Sequence, residues 1–173
     1  MPTLKIGSFV LPVMASLEIE QAYALIGGEA VFRTVAGTGL KQATWKKLKV
    51  TTSGSGWLPA GLETIDTNTQ QVVACIVPRS VPAVFATRQA TLPTARRSDS
   101  GHLPYGLAIM SDGQAVLTTA TLAGDVATVT AVAGAVDYAV GYFPQITAWV
   151  QRPAVSGSRT DASHRWEIVA EEV

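Results

Sequence analysis

The sequence predicts an all-β fold: an antiparallel β-sandwich or barrel with little helix, built as one domain over 1–173. Three observations carry this. Apolar and polar residues alternate with period two along much of the chain. In the C-terminal half, turn signals return at roughly 8–12-residue spacing, near that of a sandwich or barrel. No segment sustains a helical period, and 173 residues suffice to bury a sizeable core.

Taken in order, Leu4–Val13 reads as a first strand that stops near Pro12. Leu17, Ile19, Gln21 and Tyr23 alternate with Glu18, Glu20 and Ala22, so one face is largely apolar. Ser16–Leu25 is the best helical stretch, yet its period-two reading is at least as good. Gly27-Gly28 is expected to turn the chain into a short strand, Ala30–Val35. Gly37-Thr38-Gly39 turns it again. Thr44–Ser53 is rich in β-branched and aromatic residues, and Gly54-Ser55-Gly56 is expected to turn before Trp57. Gln70–Val77 is a nearly continuous apolar run, the pattern of a strand buried on both faces.

Between residues 78 and 104 the texture changes. Pro78, Pro82, Pro93 and Pro104 interrupt it, and Arg88, Arg96 and Arg97 carry its positive charge. This predicts a long loop or extended arm, the place for a partner contact. A strand ladder follows. Tyr105–Met110 leads through Asp112-Gly113, a strong hairpin signal, into Ala115–Leu122. Ala123-Gly124-Asp125 turns into Val126–Val132. Val136, Tyr138, Val140 and Tyr142 share a face. Ile146, Ala148 and Val150 repeat the alternation, as do His164, Trp166, Ile168 and Ala170.

Charged residues are only 15 % of the chain, against about a quarter in typical domains. The surface must be rich in Thr, Ser, Ala and Gly, or be covered by neighbours; partial burial in an assembly is the favoured reading. Net charge is zero, so no basic field exists to hold nucleic acid, and no direct nucleic-acid contact is expected. The single cysteine, Cys75, rules out an internal disulfide framework and is expected to be a buried, inert thiol. No secretory-signal pattern opens the chain, so synthesis in a cytoplasm without export by that route is expected. No apolar run of about 18 residues suits a membrane span, and no membrane association is expected.

No residue set supports a reaction, so no enzyme activity, catalytic residue, cofactor or metal is expected. Ser98-Asp99-Ser100-Gly101-His102 is superficially like the stretch around a serine-protease nucleophile. It lacks the permissive outer glycines, and no histidine precedes Ser100, so a solvated loop is the better account. Gly54-Ser55-Gly56 is not a nucleophile elbow. His102 and His164 with one distant cysteine do not make a typical zinc site. Glu18 and Glu20 share a strand face at ~7 Å, which permits paired-carboxylate chemistry, but nothing marks them as buried.

Lys47 and Lys49 share a face beside Trp45. They read as edge-strand protection or as partners for Glu171 and Glu172 of a neighbouring subunit, ahead of a nucleic-acid contact. Trp57, Trp149 and Trp166 read as core or interface anchors. The candidate subunit contacts are Lys47, Lys49, Trp57, Arg88, Arg96 and Arg97.

Four motifs share a texture: Gly27-Gly28-Glu29-Ala30-Val31-Phe32-Arg33, Lys41-Gln42-Ala43-Thr44-Trp45-Lys46-Lys47-Leu48, Ser53-Gly54-Ser55-Gly56-Trp57-Leu58-Pro59-Ala60-Gly61-Leu62, and the terminal Trp166-Glu167-Ile168-Val169-Ala170-Glu171-Glu172-Val173. Together Ile26–Asp66 and this terminus resemble small structural proteins of the tail-tip region in long-tailed bacteriophages. The resemblance covers about half the chain and omits Pro82–Pro104. It implies a virion component near the distal end of the tail, with a β-sandwich or barrel core, assembling as a homo-oligomeric ring that joins tube to tip. The implied partners are tube, tip or hub and tape-measure proteins, met in the host cytoplasm during assembly. The alternative is a receptor- or carbohydrate-binding β-module on the same particle, using Trp45, Trp57 and Tyr142.

Overall fold

The computed structural model describes residues 3–158, 160 and 162–173. Its strands in chain order are β1 (Lys5–Ile6), β2 (Phe9–Val10), β3 (Glu18–Arg33), β4 (Gly39–Gly56), β5 (Gln71–Ala74), β6 (Arg79–Pro82), β7 (Gln89–Thr91) and β8 (Tyr105–Met110). They continue as β9 (Ala115–Thr118), β10 (Ala120–Ala123), β11 (Val126–Val129), β12 (Ala135–Tyr142), β13 (Gln145–Val150), β14 (Ala154–Ser158) and β15 (Ser163–Glu172). Helical structure among the described residues is limited to two single 3-10 turns, Val13–Ala15 and Leu62–Thr64. The fold is all-β and antiparallel, as the alternation predicts.

The chain clusters into two compact units. One is built from Lys5–Val73 with Thr147–Val173, the other from the residues up to Leu4 with Ala74–Ile146.

The first unit carries the sheet ordered β2-β1-β5-β13-β15-β4-β3, with β14 also paired to β15. Period-two burial runs through it: Ala148 and Val150 on β13, Trp166, Ile168 and Ala170 on β15, and Leu48, Val50 and Thr52 on β4 are buried. Each large apolar side chain removed from water in this way contributes on the order of 2 kcal/mol. Gln21 is buried on β3 because both ends of its amide are used. Its Nε2 donates to Thr52 Oγ1 at 2.8 Å, and its Oε1 accepts from the Tyr23 hydroxyl at 3.0 Å.

Several expectations are corrected here. Leu4–Val13 is not one strand; the chain reverses at Gly7, and β1 and β2 form a miniature hairpin with Ile6 opposite Phe9. Gly27-Gly28 does not turn the chain. It lies inside β3, where the register against β4 shifts between Gly27 and Glu29, leaving Gly28 opposite both Thr44 and Trp45. Close backbone approach is what demands glycine. A Cβ on Gly27 would lie 2.4 Å from the Trp45 carbonyl oxygen, and one on Gly28 would lie 2.4 Å from Thr44 Oγ1. Gly54-Ser55-Gly56 is likewise strand, the end of β4. The run 70–77 is not buried on both faces throughout, since Val72 is exposed while Val73, Cys75 and Ile76 are buried.

The second unit holds two small sheets, β10-β11-β7 and β6-β12-β8-β9. They share one buried cluster: Ala90, Ala127 and Val129 from the first, and Ala108, Tyr138, Val140 and Tyr142 from the second, with Ala83 and Leu92. Both predicted hairpins form, β8–β9 around Asp112-Gly113 and β10–β11 around Gly124. Val136 leaves its predicted face because the register shifts between Ala135 and Asp137.

The segment 78–104 is not a free loop or arm. β6 pairs with β12 and β7 with β11. Pro82 is tolerated because β6 is the edge strand of its sheet, where a missing N–H costs no ladder bond.

Candidate assembly surfaces

The arm is elsewhere. β15 pairs with β4 only from Gly56 back to Lys49. Beyond that point β3 and β4 pair with each other, out to Arg33 opposite Gly39. From Ala22 to Lys47 no residue is buried. At ~3.3 Å per residue the distal ribbon reaches roughly 20 Å. Its turn is closed by the Thr34 and Gly37 amides, which donate to the Thr38 and Thr34 carbonyls at 2.9 and 2.8 Å.

The register sorts the ribbon into two faces. On one, Phe32 stands opposite Leu40 and Ala30 opposite Gln42. On the other, Val31 stands opposite Lys41, Glu29 opposite Ala43 and Arg33 opposite Gly39. Lys41 Nζ reaches Glu29 Oε2 diagonally at 2.7 Å, and this bond holds the Glu29 carboxyl below its ordinary range. The first face is uncharged. Phe32 and Leu40 are 56 % and 57 % exposed there. Val31, Val35 and Trp45 also lie open to solvent. A two-stranded ribbon alone is marginal in water, and apolar residues concentrated on one mark a surface that needs covering.

A second apolar surface lies on the same unit. The Met14 carbonyl accepts from the Trp57 and Leu58 amides at 2.9 and 3.4 Å, which brings the Val13–Met14 turn beside the Trp57 corner. All four side chains are about half exposed or more, Trp57 at 67 %.

The third is a groove in the Ala74–Ile146 unit, about 940 Å³, lined among others by Leu103, Pro104, Tyr105, Leu117, Leu122 and Phe143. No charged residue lines it. Leu117 projects into solvent there, 72 % exposed.

The basic residues singled out from sequence are engaged within the chain. Lys49 Nζ lies 3.2 Å from Glu171 Oε1, because the β4–β15 register sets the two residues opposite each other. Lys47 Nζ donates to the Val173 carbonyl, and Glu172 Oε2 accepts from the Leu48 amide at 2.8 Å. Lys49 guards no sheet edge, since β4 runs between β3 and β15 there, whereas Lys47 lies just past the end of the β15 pairing, where β4 has only β3 beside it. Arg88 has a positive φ of 55° in a tight turn, and its Nε donates to the Val129 carbonyl at 3.2 Å. Arg96 Nη1 pairs with Asp125 Oδ1 at 2.7 Å, and its Nη2 donates to the Gly124 carbonyl at 2.9 Å. That bond, with the Thr94 hydroxyl next, lowers the Asp125 pKa.

Arg97 is the most buried charge, 1 % exposed. Its Nε and Nη2 grip Asp99 Oδ1 and Oδ2 at 2.8 and 2.7 Å. Its Nη1 donates to the carbonyls of Thr3 at 3.0 Å and Cys75 at 2.9 Å. His102 is buried beside them. Its Nδ1 lies 3.0 Å from Asp99 Oδ2, at an angle that makes no hydrogen bond, and its ring meets Phe143 edge-on. The Arg97 guanidinium holds the Asp99 carboxyl far below its ordinary range. The stretch 98–102, expected to be a solvated loop, is therefore anchored through half-buried Asp99 on the buried Arg97 guanidinium. No periodicity or motif announces this. Cys75 is a buried free thiol.

Among the described residues, no group of three or more His, Cys, Asp or Glu converges as a metal-ligand set. Nor is any helix among them long and apolar enough to cross a membrane. No protein-family model, curated protein or solved structure matches the chain.

Proposed function

We propose that this chain is a structural subunit that works by assembly: a tail-tip or distal-tail (baseplate) component of a bacteriophage virion, forming a ring that joins the tail tube to the tip. The observation that supports it best is the distal β3–β4 ribbon, where Phe32 and Leu40 stand exposed on two strands with no third strand beside them. Such a surface is stabilised by a neighbour. The low charge of the chain and the texture of Ile26–Asp66, which contains the whole ribbon, favour the same reading. Tube, hub and tape-measure proteins are its proposed partners, and the virion tail its proposed location.

Native mass spectrometry with negative-stain imaging tests this. The wild type is compared with a variant in which residues 30–42 are replaced by an Asn-Gly hairpin turn. Closed rings of fixed copy number for the wild type, and monomers for the shortened chain, are expected. A wild type that neither self-associates nor joins purified tail proteins would sink the proposal.

One observation favours a receptor- or carbohydrate-binding role instead, the exposure of Trp45 and Trp57. Tyr142, a residue that reading also invoked, is buried. Glycan-array binding abolished by Trp57→Ala in a folded chain would support it.

A further inference from the structure

We infer that the uncharged face of one copy's ribbon, Phe32 and Leu40 with Ala30 and Gln42, seats in the apolar groove of a second copy, around Leu103, Tyr105, Leu117 and Phe143. This rests on the assembly reading above and names the acceptor surface within it.

Charge sets the orientation. The groove lining carries no ionisable acid or base other than the Tyr105 phenol. The Phe32–Leu40 face carries no charge either, whereas the opposite face presents Glu29, Arg33 and Lys41. Seating the charged face would strip three charges of water with no counter-charge in the lining. Seating the uncharged face leaves the Lys41–Glu29 pair in solvent, where it already lies.

Size permits a small contact. A concavity of about 940 Å³ takes the Phe32 and Leu40 side chains. The four residues of the seated face, on the order of 100 Å² each or less, cover about half of the ~800 Å² per partner of a standard interface, so each contact is weak alone and is reinforced by repetition in an assembly. The groove rim adds a third fit. Thr118 and Ala120 line it, and they belong to β9 and β10, which each end their sheet at an edge. Such edges are stabilised by being covered.

Ribbon and groove are different patches, so the contact is heterologous. Each copy donates one ribbon and accepts one, and repetition closes into a ring or runs on as a filament.

The test uses Phe32→Asp with Leu40→Asp as a ribbon variant and Leu117→Asp as a groove variant. All three sites are exposed, and circular dichroism checks that both chains fold. Native mass spectrometry is run on the wild type, each variant and an equimolar mixture. Expected are wild-type multimers, self-association weakened roughly 100-fold in each variant, and a 1:1 dimer in the mixture that grows no further. That dimer is the signature, because the mixture retains one intact ribbon facing one intact groove. A second measurement mixes Leu40→Cys chains with Leu117→Cys chains and looks for an inter-copy disulfide. Multimers that survive Leu117→Asp but not the ribbon variant overturn the groove assignment and leave assembly standing, as does cross-linking of Leu40→Cys to Trp57→Cys instead. A wild type that stays monomeric at every concentration, with no cross-link, overturns both.

Discussion

Trp166 on β15 lies directly across from Gly54 on β4, and its indole occupies the space a side chain at 54 would need. A Cβ there would sit 2.5 Å from Trp166 Cζ2 and 2.8 Å from the Glu18 carbonyl oxygen. The indole is fixed along that same edge, since Nε1 donates to the Ala15 carbonyl at 2.7 Å. Gly54→Ala therefore overpacks a site that cannot yield, and is expected to cost about 2–3 kcal/mol. Urea denaturation read by tryptophan fluorescence checks this, and an unchanged midpoint would contradict it.

Arg97 predicts a larger loss. Arg97→Met keeps the volume but removes the guanidinium bonds to the Thr3 and Cys75 carbonyls and to the Asp99 carboxylate. A destabilisation of roughly 3 kcal/mol or more is expected. Arg97→Lys recovers charge but not the two-pronged grip on Asp99, and should fall between Met and wild type. Equal stability of all three chains would show the cluster to be incidental.

The pH dependence follows from the same cluster. Asp99 has its carboxyl pKa lowered in the folded chain, first by the Arg97 hydrogen bonds. A lowered folded pKa contributes stability that is present above the unfolded value, about 4, and is lost as pH falls toward the folded one. Stability is expected to decline from pH ~5 downward, more steeply in the wild type than in Asp99→Asn. Parallel pH profiles for the two chains would remove Asp99 from the account.

The ribbon makes the opposite kind of prediction. Replacing Phe32 and Leu40 by Ser should change the monomer's unfolding free energy by less than about 0.5 kcal/mol, because neither side chain is buried within the chain. It should also abolish concentration-dependent sedimentation. A large monomer destabilisation would mean that the ribbon packs on its own chain.

Period two was enough to predict β13 and β15, where Ala148, Val150, Trp166, Ile168 and Ala170 are buried as the alternation requires. Dipeptide turn chemistry predicted the hairpins at Gly113 and Gly124. Glycine misled wherever it served packing instead of turning. Gly27, Gly28 and Gly54 sit inside strands because a neighbouring backbone or ring comes too close for a Cβ. Proline misled over 78–104, because an edge strand accepts it. Charge and proline point to an arm at 78–104. The projecting element lies instead where two strands outrun their sheet, a feature set by strand-length mismatch that no local window contains. The sequence marks Arg97 as a partner contact, and burial places it inside its own unit.

The irregularity at Gly28 behaves like a frameshift. Count on from Gly27 opposite Lys46 with every residue paired in turn, and Phe32 would face Lys41 while Leu40 would face Arg33. Greasy and ionic side chains would then be shuffled onto both sides of the ribbon. The one unmatched residue in β4 advances that strand by a single step and unshuffles them. The ladder could lose Thr44 and keep this sorting, because Gly28 would then face Trp45 alone while Glu29 still faced Ala43 and Phe32 still faced Leu40. It could not keep Thr44 in regular pairing: with the bulge flattened and the sequence unchanged, every pair from Glu29 to Arg33 would slip by one. The corollary is evolutionary. A one-codon loss at this point is absorbed locally and leaves what the ribbon presents to a neighbour as it was.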